Sequence, residues 1–93
     1  MEFLTKVTHS RVFEKQLDKA PPPIRRKALD WIYLVETLGL RTVSRSKGLH
    51  DEPLIGRRWG QRSVRLNRSY RLIYRTIEEQ IHIEHLEVHK HDY

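Results

Sequence analysis

The sequence predicts a small α+β domain, an antiparallel-rich sheet in the order β-α-α-β-β-β with two helices packed on one of its faces. Three observations lead there. The first half carries apolar residues at helical spacing, the last third alternates with the period of a strand, and a stretch with neither pattern separates them. Ninety-three residues leave room for a single domain over 1–93 with one modest core.

Residues 2–8 are short and β-prone and predict the first strand. Ser10 is placed to cap a helix over 11–19, with Phe13, Leu17 and Ala20 on one side. The run Pro21-Pro22-Pro23 is a rigid connector into a second helix. Its apolar stripe is Ile24, Ala28, Trp31, Ile32, Val35 and Leu38, and Gly39 ends it. On that stripe Trp31 is a core residue, not a ligand platform.

Residues 41–59 lack periodicity and hold Gly48, Pro53 and Gly56, which predicts a long loop with one short extended piece. A basic loop of that length in a small domain is usually functional. Three strands in meander order follow, over 61–67, 70–76 and 80–88.

The run from Gly60 to Arg75 carries five arginines in sixteen residues, threaded through the strand pattern. Val64 and Leu66 point to one side of their strand, and Ser63 and Arg65 to the other. After a turn at Asn67-Arg68-Ser69, Tyr70, Leu72 and Tyr74 share a face, opposite Arg71 and Arg75. Such a sheet has a core on one side and an open arginine face on the other. Guanidinium forks match phosphate oxygens, so phosphate is the expected ligand.

Charge placement agrees. The formal net charge is +6, but residues 1–40 carry +2, residues 41–76 carry +8 and residues 77–93 carry −4. Charge concentrated in the middle third is the footprint of a polyanion-binding surface.

Other chemistries are poorly served. There is no cysteine, so disulfides and thiolate metal sites are excluded. The histidines include His82, His85, His89 and His91, but no His-Glu-x-x-His helix is present, and neither a metal nor a cofactor is expected. No Gly-x-Ser-x-Gly elbow occurs. No signal peptide or membrane-spanning apolar run is seen, so the expectation is a cytoplasmic protein without a membrane partner.

Metal-free cleavage of RNA needs a base for the 2′-hydroxyl, fixed positive charge on the phosphorane and an acid for the leaving 5′-oxygen. Arg65 and Arg71 on adjacent strands are candidates for the charge. Glu52, in the basic loop, is a candidate base kept ionised by its neighbours. His89, at the end of the last strand, has the intrinsic pKa of an acid.

At these residues the chain resembles a known family. Glu52-Pro53-Leu54-x-Gly56, then Gly60-x-x-Ser63-x-Arg65, then Tyr70-Arg71-Leu72-Ile73-Tyr74 is similar to the RelE/ParE toxin superfamily, and within it to the YoeB-type messenger-RNA interferases. The similarity is detailed over about residues 45–93, while the N-terminal elements agree only in order and length. It implies the toxin of a type II toxin–antitoxin system, a metal-independent endoribonuclease that cuts mRNA in the ribosomal A site. The implied partners are mRNA, the ribosome and a cognate acidic antitoxin, with a toxin–antitoxin hetero-oligomer as the resting form.

Residue by residue, the resemblance puts the general base at Glu52, the phosphate-binding arginines at Arg65 and Arg71, and the catalytic histidine at His89. The chain departs from the pattern at its end. YoeB-like proteins finish in a His-Tyr pair, whereas this one runs His89-Lys90-His91-Asp92-Tyr93. Either His89 or His91 therefore stands as the acid, with Tyr93 as a stacking or phenolic terminus. Lys47, His50, Arg57, Arg58, Arg62 and Arg75 are expected to bind RNA. Lys47, His50 and Arg62 carry more of the work if Glu52 is structural, as in a RelE-like mechanism. Two alternatives stay open: a ParE-like toxin that binds gyrase and cuts nothing, and a basic RNA-binding module without chemistry.

Overall fold

The computed structural model describes residues 4–88. Its first strand, β1 (Val7–His9), runs parallel to the last, β5 (Gln80–Val88), with Val7 opposite Ile81 and His9 opposite Ile83. Within the described residues the strand expected over 2–8 spans only Val7–His9, where the chain meets β5; residues 2 and 3 lie outside them.

Ser10 ends that strand and starts α1 (Arg11–Lys19). Its backbone is extended and its hydroxyl accepts from the Phe13 amide at 3.0 Å, an N-cap. The same hydroxyl donates to the Glu84 carbonyl, so the cap also ties the helix to β5. Farther along, the Gln16 side-chain amide donates to the Leu86 carbonyl at 3.0 Å and accepts from the Leu86 amide at 2.6 Å. Where β1 runs out, Gln16 supplies the bonds a neighbouring strand would have made.

α2 (Pro22–Leu38) opens on prolines, whose missing N–H falls where a helix has no internal acceptor anyway, and stops at Gly39, with φ +88°. Ile24, Ala28, Trp31 and Val35 are buried as the stripe predicts. Leu38 is exposed instead. The chain turns at Gly39, and Leu40, bonded to the Leu4 carbonyl at 2.8 Å, packs against the core in its place.

The aperiodic stretch is more ordered than its pattern suggests. It contains α3 (Leu40–Val43), a 3₁₀ turn at Lys47–Leu49, β2 (Glu52–Pro53) and a second 3₁₀ turn at Gly56–Arg58. The one extended piece foreseen there is β2. The meander follows as β3 (Arg62–Arg65), β4 (Tyr70–Ile77) and β5. Asn67 Oδ1 accepts from the Ser69 and Tyr70 amides at 2.7 Å each and closes the first turn. Glu78 and Glu79, both at positive φ, make the second.

The sheet order is β1-β5-β4-β3-β2, with β1/β5 parallel and every other pair antiparallel. The α+β class and the two main helices on one face therefore hold, with a fifth strand and a short third helix added. Phe13, Ile24, Ala28, Trp31 and Val35 close from the helices onto Val64, Leu66, Leu72, Tyr74, Ile81, Ile83 and Leu86. The Trp31 and Tyr74 rings meet at 5.2 Å, so Trp31 packs in the core as its place in the stripe requires.

One irregularity shapes the opposite face. The β4/β5 register shifts between Ile73 and Tyr74, with Ile73 opposite His85 but Tyr74 opposite Ile83, and Glu84 is the extra residue. Before the bulge Ile81 and Ile83 face the core; after it Leu86 does. Glu84, His85 and Glu87 are all delivered to the arginine side.

Candidate functional site

The ladder lays out the arginine side in rows. Glu52 lies opposite Ser63, Ser63 opposite Ile73, and Ile73 opposite His85. The next row is Arg65, Arg71 and Glu87. Paired residues project to the same face, so Glu52, Ser63, Arg65, Arg71, His85 and Glu87 share one surface.

The sequence predicts an open face, and among the described residues no helix packs on it. Its centre is nonetheless closed by side chains, and Ser63 and Ile73 are buried there. Arg58 reaches over from the second 3₁₀ turn to both oxygens of Glu87, and His85 Nε2 meets Glu87 Oε2 at 2.9 Å. Gln61 and Arg75 converge on Glu84, each at 2.5 Å, and Arg58 Nε donates to Gln61 Oε1 at 2.8 Å. At the β1 edge Thr8 Oγ1 lies 2.9 Å from His82 Nδ1.

Burial pushes the Glu87 carboxyl up, but hydrogen bonds from Arg58 and His85 and the Arg58 charge outweigh it and hold it below the ordinary carboxylate range. Glu84 behaves alike: burial raises it, and Gln61 and Arg75 bring it down further. Both carboxylates therefore favour the folded state above their ordinary pKa, and the gain disappears as pH falls through their lowered folded values. The Glu84→Gln and Glu87→Gln proteins should each show a shallower loss of urea midpoint than wild type between about pH 5 and pH 3. Superimposable midpoint curves would refute this.

The arginines divide into two groups. Arg58, Arg62 and Arg75 are each held by a carboxylate: Glu87, Asp51 and Glu84. Arg65 and Arg71, directly opposite one another, make no ion pair among the described residues. Arg71 Nη1 donates to Ser63 Oγ at 3.3 Å, which aims its guanidinium across β3. Two like charges opposite each other on adjacent strands destabilise a sheet. Glu87 stands opposite Arg71 on β5 but is held by Arg58 and His85, so the two half-buried guanidiniums stay open to an anion.

The other sequence candidates fall as follows. Glu52 is exposed on β2, in the row that begins the face. Lys47 and His50 are exposed at the first 3₁₀ turn, and Arg57 is exposed in the second. Arg62 turns the other way. It shares the helix-packed side with its cross-strand partner Tyr74, and its Nε donates to Asp51 Oδ1 at 2.7 Å. Burial lowers its affinity for the proton, but Asp51 more than restores it, and the pKa is raised. His89, His91 and Tyr93 lie outside the described residues. No group of three His, Asp or Glu among the described residues is arranged to hold a metal.

Sequence reasoning gave no role to Asp51, Glu84 or Glu87. A signal was present for the latter two: apolar alternation on β5 breaks between Ile83 and Leu86, the mark of a bulge, and strict alternation would have buried His85 and Glu87.

Comparison with known proteins bears on the fold. No protein-family model matches the chain, and no curated protein does. Solved structures do. YafQ from E. coli strain BL21(DE3) is 19% identical and superposes with a TM-score of 0.73 over 89% of this chain and 91% of its own. The archaeal RelE of the RelE–RelB complex from Pyrococcus horikoshii OT3 is 22% identical, TM-score 0.72, over 96% and 99%. A YoeB/ParE toxin from Agrobacterium tumefaciens is 17% identical, TM-score 0.71, over 91% and 99%. The chain has the fold these toxins share.

Proposed function

We propose that this chain is the toxin of a type II toxin–antitoxin pair, a metal-independent endoribonuclease acting on mRNA in the ribosome. The observation that carries the reading is the Arg65–Arg71 pair, two guanidiniums in register and in no ion pair among the described residues, on the same face as Glu52. That arrangement suits a phosphorane, whose charge grows in the transition state, with a carboxylate near enough in the ladder to take the 2′-hydroxyl proton. The fold supports it, being that of proteins described as toxins. Two of these were solved in complexes with antitoxins, the RelE–RelB pair of P. horikoshii and the DinJ–YafQ pair of E. coli. An acidic antitoxin segment covering the +8 stretch is the matching partner, and the cytoplasm, where ribosomes and antitoxin are, the matching compartment. Among the described residues no helix is long and apolar enough to cross a membrane.

In this mechanism Glu52 takes the proton, Arg65 and Arg71 hold the phosphoryl oxygens, and a histidine beyond β5 returns a proton to the 5′-oxygen. The ungapped match favours His89 over His91 for that role, and Tyr93 serves as a stacking platform. Lys47, His50 and Arg57 guide the strand. Arg58 and Arg75 act indirectly, by holding Glu87 and Glu84.

The test is to incubate the pure protein with programmed ribosomes in the presence of a chelator and map mRNA ends, beside a gyrase supercoiling assay. New ends are the expected outcome; gyrase inhibition without them would replace the nuclease with a ParE-like toxin. In single turnover the rate should follow a bell-shaped pH profile, and His89→Gln should lower it roughly 10²- to 10⁴-fold while His91→Gln costs much less. Small, equal losses from both substitutions would remove the histidine acid from the mechanism.

A further inference from the structure

The second 3₁₀ turn ends on a residue that the site above leaves unused. Trp59 is 81% exposed, and Ile55, at the other end of the turn, is 83% exposed. An indole contributes more on burial than almost any other side chain, so a backbone that holds one in water is holding it for something.

This backbone is well held. The Leu54 amide donates to the Gln61 carbonyl at 2.9 Å, Trp59 to Gly56 at 3.1 Å, and Gln61 to Arg58 at 3.0 Å. The Arg58 side chain is fixed by Gln61 and Glu87. Gly60 turns the chain at φ +99°, a conformation side chains rarely adopt, and a Cβ there would meet Arg75 Nη1 at 3.4 Å. The indole is thus presented in advance, with little left to order on binding.

Between Trp59 and β2 lies a cleft of about 350 Å³, lined also by Pro53, Leu54, Ile55, Gly60 and Arg62. That is within the size range of small-ligand sites. Its β2 wall, Pro53, follows Glu52 in the chain, and exposed Arg57, in the turn between Ile55 and Trp59, supplies positive charge, Arg62 being paired with Asp51. An apolar pair alone would suit a protein partner. An indole beside a cleft, with the exposed Arg57 guanidinium in the same turn, suits single-stranded nucleic acid, with a base on the ring and a phosphate on the arginine.

We propose that Trp59 is a stacking platform for one unpaired nucleobase, holding an RNA strand against the β2 edge next to Glu52. The identity of the strand as substrate rests on the ribonuclease reading; the stacking does not. Trp31 is buried and Trp59 exposed, so the red-edge indole emission reports on Trp59. Titration with hexa-adenylate should quench that emission, and inorganic phosphate should not. Trp59→Ala should keep its circular dichroism spectrum and bind hexa-adenylate about 5- to 150-fold more weakly, and Trp59→Phe should recover much of the loss. Three results would overturn the proposal. They are no quenching in the wild type, equal hexa-adenylate affinity in Trp59→Ala, or a Trp59→Ala defect confined to binding an acidic helical peptide, which would make the loop a protein-docking surface. Cleavage reports separately. Quenching without cleavage would remove the nuclease and keep the platform, and cleavage with full hexa-adenylate affinity in Trp59→Ala would do the reverse.

Discussion

Arg71→Ala is expected to abolish most mRNA cleavage while leaving the protein as stable as wild type or slightly more so. The two halves of that result have one cause. Arg71 faces Arg65 across β3 and β4, neither makes an ion pair among the described residues, and Glu87, next to Arg71 in the ladder, is held by Arg58 and His85. Removing one charge relieves the sheet, and only a 3.3 Å bond to Ser63 Oγ is lost. The transition state, in contrast, loses a fixed donor aimed where negative charge develops, which lowers the rate by roughly 10²- to 10³-fold. Arg65→Ala should behave alike. The double variant should fall short of the product of the two losses, because in the proposed mechanism the guanidiniums act on the same phosphoryl oxygens. Rate is measured in single turnover on programmed ribosomes, and stability by urea midpoint. A strongly destabilised Arg71→Ala protein would mean that the arginine holds the fold and not the phosphate.

How much of this was legible in the sequence differs from element to element. Helices announce themselves through local spacing, and Ser10, the prolines and Gly39 mark their ends. The two strands richest in arginine also declared their faces, because Val64, Leu66, Leu72 and Tyr74 alternate without interruption. Long-range pairings left no local trace. Nothing near Val7 says that it will lie parallel to Ile81, and nothing near Arg58 says that Glu87 will hold it. The bulge at Glu84 was written in the broken alternation of β5, but its consequence, two carboxylates and a histidine on the arginine face, needed the register of β4. The clearest lesson is the difference between arginines. By composition Arg58, Arg62, Arg65, Arg71 and Arg75 are equivalent, and only tertiary pairing reveals which of them are already neutralised. Charge counting marks a basic stretch; it does not say which of its arginines are already paired.

Asp51→Ala is expected to produce the largest loss of stability of any single change near the site, about 2 to 3 kcal/mol, the upper part of the range for leaving a buried donor unsatisfied, because the Arg62 side chain is 37% exposed and can be rehydrated. The Asp51 side chain is fully buried. It accepts from Arg62 Nε at 2.7 Å and from the Tyr74 hydroxyl at 2.6 Å. Burial drives the Tyr74 phenol far above its ordinary pKa, and the Asp51 charge adds to this, so the hydroxyl remains a donor at any working pH. Without the carboxylate, the phenol of a buried ring packed on Trp31 has no acceptor, and a partly buried guanidinium has no counter-charge. Asp51→Asn keeps the volume and an acceptor for Tyr74, and should cost less. Tyr74→Phe leaves the ion pair intact and should cost less again, about 1 to 2 kcal/mol for one buried hydrogen bond. Urea midpoints of Asp51→Ala, Tyr74→Phe and the double variant complete a cycle, and a coupling near zero would mean that the two groups do not depend on each other. The proposed cleavage site is drawn in because Asp51 and Glu52 are neighbours facing opposite ways, one anchored beneath the sheet and the other exposed above it. Anchoring the first fixes where the second stands. At a temperature where Asp51→Asn is still folded, its cleavage rate should therefore fall although no contact to RNA has been removed. A rate equal to wild type would show that β2 keeps Glu52 in place without its buried neighbour.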